Sequence, residues 1–113
     1  MNRGEVWLVA LDPTTGAEIG KTRPAVIVSR ASVGVLPLRV VVPLTSWQPE
    51  FAGFPWMVRL ERSPTSGLTR VSAADTFQVK SVAVERLRSR LGVLSDAELA
   101  PIVRAVGRVI GHP

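Results

Sequence analysis

The stretch EIGKTRPAVIVS, residues 18–29, decides how the first half of the chain folds. Its second part, residues 25–28, is an apolar and mostly β-branched run, which is typical of a strand covered on both faces. Pro24 lacks a backbone donor and fixes φ, so we expect it at the first position of this strand. Gly20 marks a turn just before it. The stretch therefore predicts a glycine-containing loop that leads into a buried strand at residues 23–29.

Two cations, Lys21 and Arg23, flank Thr22 at the mouth of this predicted strand. Two positive charges held by a rigid strand could grip an anion. Ordinary solvated charges would give the same local sequence, since most charged side chains lie at the surface. This stretch alone leaves both interpretations open.

Composition narrows the possible classes of protein. The chain of 113 residues is long enough for one core, and we expect a single domain over residues 1–113. Because 46% of the residues are apolar and 20% are charged, the composition argues against disorder. The sequence has no cysteine, which excludes disulfides, thiolate metal sites and thiol nucleophiles. It shows no signal peptide and no apolar run near the ~20 residues of a membrane span, so we expect a cytoplasmic protein.

The charge balance indicates the kind of partner. Fourteen Lys and Arg residues against nine Asp and Glu residues give a net charge of +5. A positive surface favours a polyanionic or acidic partner, because neutralising phosphates releases counterions and drives binding.

The remaining segments predict a β-rich fold. Turn residues separate runs of β-branched and alternating apolar residues, as in small antiparallel folds. We expect Pro43 to mark an edge strand or a bulge. The predicted strands are GEVWLVAL (4–11), RPAVIVS (23–29), LRVVVPLTS (38–46), WMVRLE (56–61) and TFQVKSVA (76–83), with long loops at 12–22 and 47–55 and a turn at 63–67.

The C-terminal segment changes to helical periodicity. SDAE, residues 95–98, is a capping box, in which Ser95 and Glu98 each bond the other's backbone. Apolar residues then recur at helical spacing, which predicts an amphipathic helix from about Asp96 to Val109. Short strands followed by one such helix indicate a small closed or half-closed β-barrel.

The chemistry available to the chain is limited. His112 is the only histidine, and no His pair or carboxylate cluster has metal-ligand spacing, so we expect no metal and no cofactor. Gly20-Lys21-Thr22 looks like the end of a phosphate-binding P-loop, but the upstream glycine spacing is wrong and Pro24 prevents the following helix. Phosphoryl chemistry would therefore rest on Arg, Lys and hydroxyl groups. Arginine can stabilise a phosphorane, and RNA supplies its own 2′-OH nucleophile.

In several stretches of its sequence the chain resembles MazF/PemK-type toxins, which are the endoribonucleases of toxin–antitoxin pairs. The most specific part is the order of strand, glycine-containing loop, GKTRP and apolar strand. The matching stretches are RGEVWLVALDPTTGAEIGKTRPAVIVS (3–29), VVVPLTS (40–46), GLTRVSAADTFQVKSV (67–82), ERL (85–87) and LGVLSDAELAPIVRAV (91–106).

The resemblance implies a fold, an activity and partners. The fold is mainly β, an SH3-like β-barrel of the CcdB/MazF type with a C-terminal helix. The implied activity is sequence-specific, metal-independent cleavage of single-stranded mRNA by 2′-OH attack. This leaves a 2′,3′-cyclic phosphate or 3′-phosphate and a 5′-OH. The implied partners are a second copy of the chain, in a homodimer, and a cognate acidic MazE-like antitoxin that competes with RNA.

The resemblance also assigns roles to individual residues. Arg23 falls on the family's catalytic arginine and Thr45 on its catalytic threonine. Gly20, Lys21 and Thr22 lie in the adjoining loop. Ser46 and Trp47 follow the threonine, and Gln78 falls on a strand that lines the RNA groove. We expect these six residues, Gly20, Lys21, Thr22, Ser46, Trp47 and Gln78, to bind RNA.

Several residues allow two interpretations. Many relatives have an Asp-Gln pair where this chain has Phe77-Gln78, and we expect Phe77 in the core, with base stacking as the alternative. Trp47, Phe51, Phe54 and Trp56 either stack on unpaired bases or close the barrel. Trp7 is expected in the core or a dimer interface, and ERLRSR (85–90) in a solvated helical turn, with phosphate contact as its alternative.

Two rival functions fit the same fold class. CcdB-like gyrase poisons bind a protein and cut nothing, and they would not need Arg23, Thr45 and the GKTRP loop together. A nucleic-acid-binding barrel without catalysis is also compatible with the composition.

Overall fold

The computed structural model describes residues 1–33 and 35–112. It contains an antiparallel seven-stranded sheet and a C-terminal helix. The strands are β1 (Glu5–Ala10), β2 (Thr22–Ile27), β3 (Leu38–Ser46), β4 (Met57–Leu60), β5 (Ser72–Asp75), β6 (Lys80–Ala83) and β7 (Leu87–Val93), and the helix is α1 (Asp96–Val109). Short 3₁₀ turns lie at Ala31–Val33, Pro49–Gly53, Thr76–Gln78 and Val84–Arg86. The predicted mainly β fold with a C-terminal helix is confirmed.

The long strand β3 lies at the centre of the sheet. The strand order is β4-β5-β3-β2-β1-β7, and β6 pairs with the first half of β3. Residues Leu38–Val41 of β3 pair with β6, whereas Leu44–Ser46 pair with β5. Pro43 falls between these two partners and pairs with Ala25 of β2 on its other side. The expectation of an edge strand was therefore wrong, and Pro43 is tolerated because it occupies the gap between β6 and β5.

The sheet does not close through a strand ladder. In the described residues β4 and β7 are not paired, and the turn at residues 63–68 bridges them instead. The Val93 N–H donates to the Thr65 carbonyl at 3.0 Å. A Cβ on Gly67, whose φ is +75°, would collide with the Leu91 backbone, and one on Gly92 would collide with the backbone of Thr65 and Ser66. These two glycines therefore permit the close contact that makes the sheet a half-closed barrel.

Strand β2 is covered on both faces, as its apolar run predicts. Val26 belongs to a core cluster between the sheet and α1, which includes Leu99 and Ile102 of the helix. Ala25 and Ile27 belong to a second cluster on the opposite face, against which Trp7 packs as a partly buried side chain. Pro24 is the third residue of β2 and not the first. It pairs only with β1, since pairing with β3 begins at Ala25.

Helix α1 has the predicted bounds and the predicted capping box. The Glu98 N–H donates to Ser95 Oγ at 3.1 Å, and the Ser95 N–H donates to Glu98 Oε1 at 2.9 Å. In the described part of the chain no helix has both the length and the apolar character needed to cross a membrane.

Two local predictions were wrong, and strand β5 was not predicted. Residues 85–90 are not a helical turn, because only Val84–Arg86 form a 3₁₀ turn and Leu87–Val93 pair with β1 as β7. The segment at 76–83 begins with a 3₁₀ turn, and only Lys80–Ala83 form a strand. Strand β5 was not predicted, since its sequence SAAD has low β propensity and is held by partners on both sides.

Candidate active site

A cavity of about 370 Å³ opens where β2 begins and β3 ends. Four predicted site residues line it, namely Thr22, Arg23, Thr45 and Ser46. Three further polar residues, Thr69, Arg70 and Ser72, complete its polar lining, and non-polar residues of β1, β2, β3, β7 and the turn at 63–68 form the rest. No acidic side chain is among the lining residues, so two guanidinium groups dominate its electrostatics.

The sheet register brings the predicted catalytic pair together. Strands β2 and β3 pair through Val26 with Val42 and Ala25 with Pro43, and continuing this register places Arg23 opposite Thr45. Arg23 also pairs with Val9 of β1, and Thr45 pairs with Ala73 of β5. Residues directly opposite in an antiparallel pair project to the same face, which explains how both side chains reach one cavity. Both residues are therefore held by the sheet and not by a loop alone.

The preceding loop orients Arg23. Arg23 Nε donates to the Gly20 carbonyl at 3.0 Å, and its two terminal nitrogens donate to none of the described residues. A Cβ on Gly20 would collide with the Asp12 carboxylate and lie 2.8 Å from Thr14 Oγ1. Glycine at this position thus allows the loop to present its carbonyl to the arginine.

Lys21 has an unusual backbone conformation. Its φ is +64°, and its carbonyl accepts a hydrogen bond from the Leu11 N–H at 2.9 Å. A non-glycine residue in this left-handed region costs about 1 kcal/mol. The side chain is exposed and does not line the Arg23 cavity.

Arg70 is the functional candidate that sequence reasoning missed. Its Nη1 donates to Ser46 Oγ at 3.3 Å, which links it to the residue after Thr45. Among the described residues, no carboxylate forms an ion pair with Arg70. The only available signal was its position in GLTRVS, within one of the stretches that match the toxin family.

Gln78 and Trp47 lie outside this cavity. Gln78 lines a separate pocket of about 370 Å³ with Ala17, Ile19 and Phe77 among its walls. Its side chain bonds to the first loop, with the Ile19 N–H donating to Oε1 at 2.6 Å and Nε2 donating to the Ala17 carbonyl at 3.1 Å. Trp47 packs edge-on against Phe51, and the Arg59 guanidinium lies 5.5 Å from its ring centroid. The structure thus brings four of the eight predicted site residues to one cavity.

Five aromatic side chains form a continuous aromatic cluster, consisting of Trp47, Phe51, Phe54, Trp56 and Phe77. Phe54 and Trp56 stack at 4.8 Å between ring centroids, and Phe77 meets Trp56 edge-on at 6.1 Å. Phe77 is 66% exposed, so its expected core position was wrong. The 3₁₀ turn at Thr76–Gln78, capped by Asp75 Oδ1 accepting from the Phe77 N–H at 3.2 Å, directs this ring outward.

Two carboxyl groups outside the cavity have shifted pKa values. Burial raises the pKa of Asp75, although hydrogen bonds from the Phe77 backbone and from Gln78 oppose the shift. For Glu5, burial alone would raise the pKa, but hydrogen bonds from Trp7, Asn2 and the N-terminal amine outweigh it, and the pKa is lowered. In residues 1–33 and 35–112, no group of three or more His, Asp or Glu side chains is placed to hold a metal ion.

The family comparison covers nearly the whole chain. The model of the PemK-like, MazF-like toxins of type II toxin–antitoxin systems matches residues 2–110. The chain belongs to this toxin family. It is 38% identical to endoribonuclease MazF9 of Mycobacterium tuberculosis over 94% of this chain and 92% of that protein. It is 41% identical to endoribonuclease PemK of Escherichia coli over 77% of this chain and 68% of that protein.

Solved structures agree with the predicted MazF-type fold. A crystal structure of MazF from Deinococcus radiodurans superimposes with a TM-score of 0.81 at 24% identity, covering 98% of this chain and 96% of that one. A mycobacterial endoribonuclease in complex with its cognate antitoxin superimposes with a TM-score of 0.76 at 22% identity, covering 100% of this chain and 97% of that one.

Proposed function

We propose that the protein is the endoribonuclease toxin of a type II toxin–antitoxin system and that it cleaves single-stranded mRNA at specific sequences without a metal ion. The observation that carries this proposal is the cavity shared by Arg23 and Thr45, which contains two arginines and no acid. Such a cavity suits a phosphodiester, because guanidinium groups match phosphate oxygens in charge and geometry. The named activity of relatives such as MazF9 and PemK supports the same reaction.

The proposed chemistry is an internal transesterification. The 2′-OH attacks the adjacent phosphorus, the bond from phosphorus to the 5′ oxygen breaks, and a 2′,3′-cyclic phosphate and a 5′-OH form. The proton lost by the 2′-OH is balanced by the proton gained at the 5′ oxygen. Hydrolysis of the cyclic product would give a 3′-phosphate. Because the nucleophile belongs to the RNA, the site needs no activated water.

Arg23 and Thr45 have different roles in the proposed reaction. The Arg23 guanidinium stabilises the negative phosphorane and assists proton transfer, while the Thr45 hydroxyl donates a hydrogen bond to a non-bridging oxygen. Arginine is a poor general base, because its guanidinium group holds its proton tightly. Charge stabilisation by a preorganised guanidinium is therefore its main contribution.

Further contacts extend the RNA site beyond the scissile phosphate. Arg70, held by Ser46, is placed to bind a second phosphate, and Thr22 and Lys21 add polar and charged groups near the start of β2. In the aromatic cluster, the exposed Phe77 and the neighbouring Phe54 present faces on which unpaired bases can stack. Trp47 joins this cluster to the strand end that carries Thr45 and Ser46.

The proposal includes location and partners. The protein acts in the cytoplasm, where mRNA is available, and it forms a homodimer. Its net charge of +5 suits an acidic, partly disordered antitoxin that folds onto the RNA-binding surface and competes with RNA. Structures of related toxins in complex with antitoxins, including MazE–MazF of Deinococcus radiodurans, support an antitoxin as a partner. Sedimentation at micromolar concentration tests the dimer, which a monomer would contradict.

One assay separates the proposed activity from its rivals. Purified protein is incubated in EDTA with single-stranded RNA and, in parallel, with DNA gyrase and supercoiling substrate. Cleavage of RNA without gyrase inhibition is the expected result. Gyrase inhibition with intact RNA would identify a CcdB-like poison. RNA retention without cleavage would identify a binding barrel that lacks catalysis.

A further inference from the structure

We infer that Gln78 is a positioning residue that acts on Arg23 through the first loop and does not bind RNA itself. This inference rests on the proposed function, since it concerns the orientation of the proposed catalytic arginine. It replaces the RNA-binding role that the sequence predicts for Gln78.

The Gln78 amide bonds to the loop through both its oxygen and its nitrogen. Its Oε1 accepts from the Ile19 N–H at 2.6 Å, and its Nε2 donates to the Ala17 carbonyl at 3.1 Å. The opposite amide orientation would set the NH₂ group against the Ile19 N–H and the oxygen against the Ala17 carbonyl. The observed orientation is thus the one that satisfies both loop groups, and it commits both ends of the amide to the loop.

Hydrogen bonds from distant residues hold the loop at its start and in its second half. Its tip is exposed, and its internal bonds are local, with the Thr15 N–H donating to Glu18 Oε1 at 2.6 Å and the Glu18 N–H to the Thr15 carbonyl at 3.2 Å. At its start, Arg86 Nη1 donates to the carbonyls of Ala10 and Asp12. The Leu11 N–H bond to the Lys21 carbonyl and the packing of Ile19 against the core also hold the end of the loop. Gln78 adds a direct restraint on residues 17 and 19, as Arg86 does at the beginning of the loop.

The tether ends at Arg23. Ile19, whose N–H is held by Gln78, immediately precedes Gly20, whose carbonyl accepts from Arg23 Nε at 3.0 Å. In the other direction, Asp75 Oδ1 accepts from the Phe77 N–H at 3.2 Å and so caps the 3₁₀ turn that carries Gln78. The Thr76–Gln78 turn thus holds the Gln78 amide, the amide holds Ile19, and the adjacent Gly20 carbonyl holds the Arg23 guanidinium. Misplacing a catalytic group by about 1 Å can cost up to about 10²-fold in rate.

The first test separates positioning from RNA binding. Gln78→Met keeps the length of the side chain but removes both hydrogen bonds, and Gln78→Glu keeps the acceptor for Ile19 but sets an oxygen against the Ala17 carbonyl. With a fixed single-stranded RNA, we expect Gln78→Met to lower kcat about tenfold or more with KM changed less than about threefold. Gln78→Glu should retain more activity than Gln78→Met. Raised KM at unchanged kcat would mean that Gln78 contacts RNA and would overturn the inference.

Two controls separate positioning from a general structural effect. Gln48→Met changes the only other glutamine, which is exposed and forms no cap bond, and it should leave kcat unchanged. An equal loss of kcat in Gln48→Met would overturn the inference. Thermal unfolding of Gln78→Met should match the wild type within a few degrees, and a collapse of Tm with activity recovered at low temperature would mean a folding role only.

A double-mutant cycle tests whether Gln78 works through Arg23. In an Arg23→Lys background, where the Nε bond to Gly20 is absent, single-turnover cleavage should not fall further when Gln78→Met is added. Full additivity of the two losses would overturn the inference. If the wild-type protein itself leaves RNA intact, the proposed function fails. If the wild type cleaves RNA and the Gln78 variants cleave equally well, only the positioning inference fails.

Discussion

The Arg23 cavity and the aromatic cluster both lie near the end of β3, where Trp47 of the cluster follows Ser46 of the cavity, yet the two regions are built differently. The cavity takes Arg23 and Thr45 from paired strands, so strand register fixes the two side chains. The aromatic cluster takes most of its rings from the loop after β3, and its Phe54 and Phe77 are 36% and 66% exposed. The cavity is polar and basic, whereas the cluster is apolar and open to solvent.

This difference indicates a division between chemistry and recognition. Phosphoryl transfer needs charged groups held rigidly, and a sheet provides that rigidity. Stacking on unpaired bases tolerates looser geometry, because every base has an aromatic face. Substitutions in the cavity should therefore change kcat, and substitutions in the cluster should change RNA affinity.

The largest effect is expected in the cavity. Arg23→Ala and Thr45→Ala should each reduce kcat by about 10²–10³-fold, because each removes a preorganised donor to the developing charge. Thr45→Ser is the matched control, since it keeps the hydroxyl and should retain most of the activity. Single-turnover cleavage and circular dichroism of the folded variants provide the measurement. Near-wild-type cleavage by folded Arg23→Ala would instead indicate that Lys21 and Arg23 are ordinary solvated charges.

The next largest effect should come from the aromatic cluster. Phe77→Ala should weaken RNA binding by about 1–3 kcal/mol, the usual value of one base stacked on an aromatic ring, with kcat nearly unchanged. Phe77→Trp should restore affinity. Fluorescence anisotropy with a labelled RNA, using the inactive Arg23→Ala background, measures binding without cleavage. Unchanged affinity in Phe77→Ala would show that the cluster does not bind bases.

Arg70 should give a smaller effect with a distinctive salt dependence. Loss of one phosphate contact reduces the slope of log K against log salt by about 0.7 for single-stranded RNA. Arg70→Ala should therefore bind more weakly at low salt and converge on the wild type as salt rises. Arg88→Ala, at an exposed position of β7, is the control and should leave the slope unchanged. An unchanged slope in Arg70→Ala would place its guanidinium outside the RNA contacts.

Lys21 offers a test in which affinity and stability move in opposite directions. Lys21→Ala should lower RNA affinity a few fold, because a loop lysine acts as a point charge on phosphate. Lys21→Gly should lower affinity equally but raise the free energy of unfolding by about 1 kcal/mol, since glycine accepts a φ of +64° without strain. Urea denaturation of both variants measures the difference. Equal stability would show that the left-handed conformation carries no cost here.

The smallest effects concern pH and stability. Because the pKa of Asp75 is raised in the folded state, its ionisation destabilises the fold as pH rises from 3.8 through the raised value. Glu5 acts in the opposite direction, since its lowered pKa gives stability above pH 4.5 that is lost as pH falls through the folded value. The free energy of unfolding of Asp75→Asn should therefore decrease less than that of the wild type as pH rises above 3.8. The free energy of unfolding of Glu5→Gln should decrease less than that of the wild type as pH falls below 4.5. Denaturation curves measured across this pH range give the free energy of unfolding of each variant. The same pH dependence in both variants and the wild type would contradict the shifted pKa values of Asp75 and Glu5.

The elements that the sequence predicts well are those with strong local signals. Strand β3 and helix α1 have the predicted bounds, because β-branched residues fill the first and a capping box with helical periodicity defines the second. Strands β5 and β7 were missed, since SAAD is made of small residues and LRSRLGV carries arginines at exposed positions. Both form through partners that are distant in the sequence, which no local pattern reveals.

The site shows the same division. Arg23 and Thr45 could be named from the toxin resemblance, and their common cavity follows from strands that are themselves predictable. Arg70 lies after a turn whose position against β7 depends on Gly67 and Gly92, so sequence alone gave it no role. The exposure of Phe77 depends on a 3₁₀ turn that interrupts a predicted strand.

Analysis of the RNA ends made by the wild-type protein in EDTA tests the central claim most directly. Mass spectrometry of the fragments should show a 2′,3′-cyclic phosphate on one product and a 5′-OH on the other. A substrate with a single 2′-deoxynucleotide at the cleaved position should remain intact, because it lacks the attacking hydroxyl. Products that carry a 5′-phosphate, or cleavage of the deoxy-substituted substrate at that position, would contradict 2′-OH attack in the Arg23–Thr45 cavity.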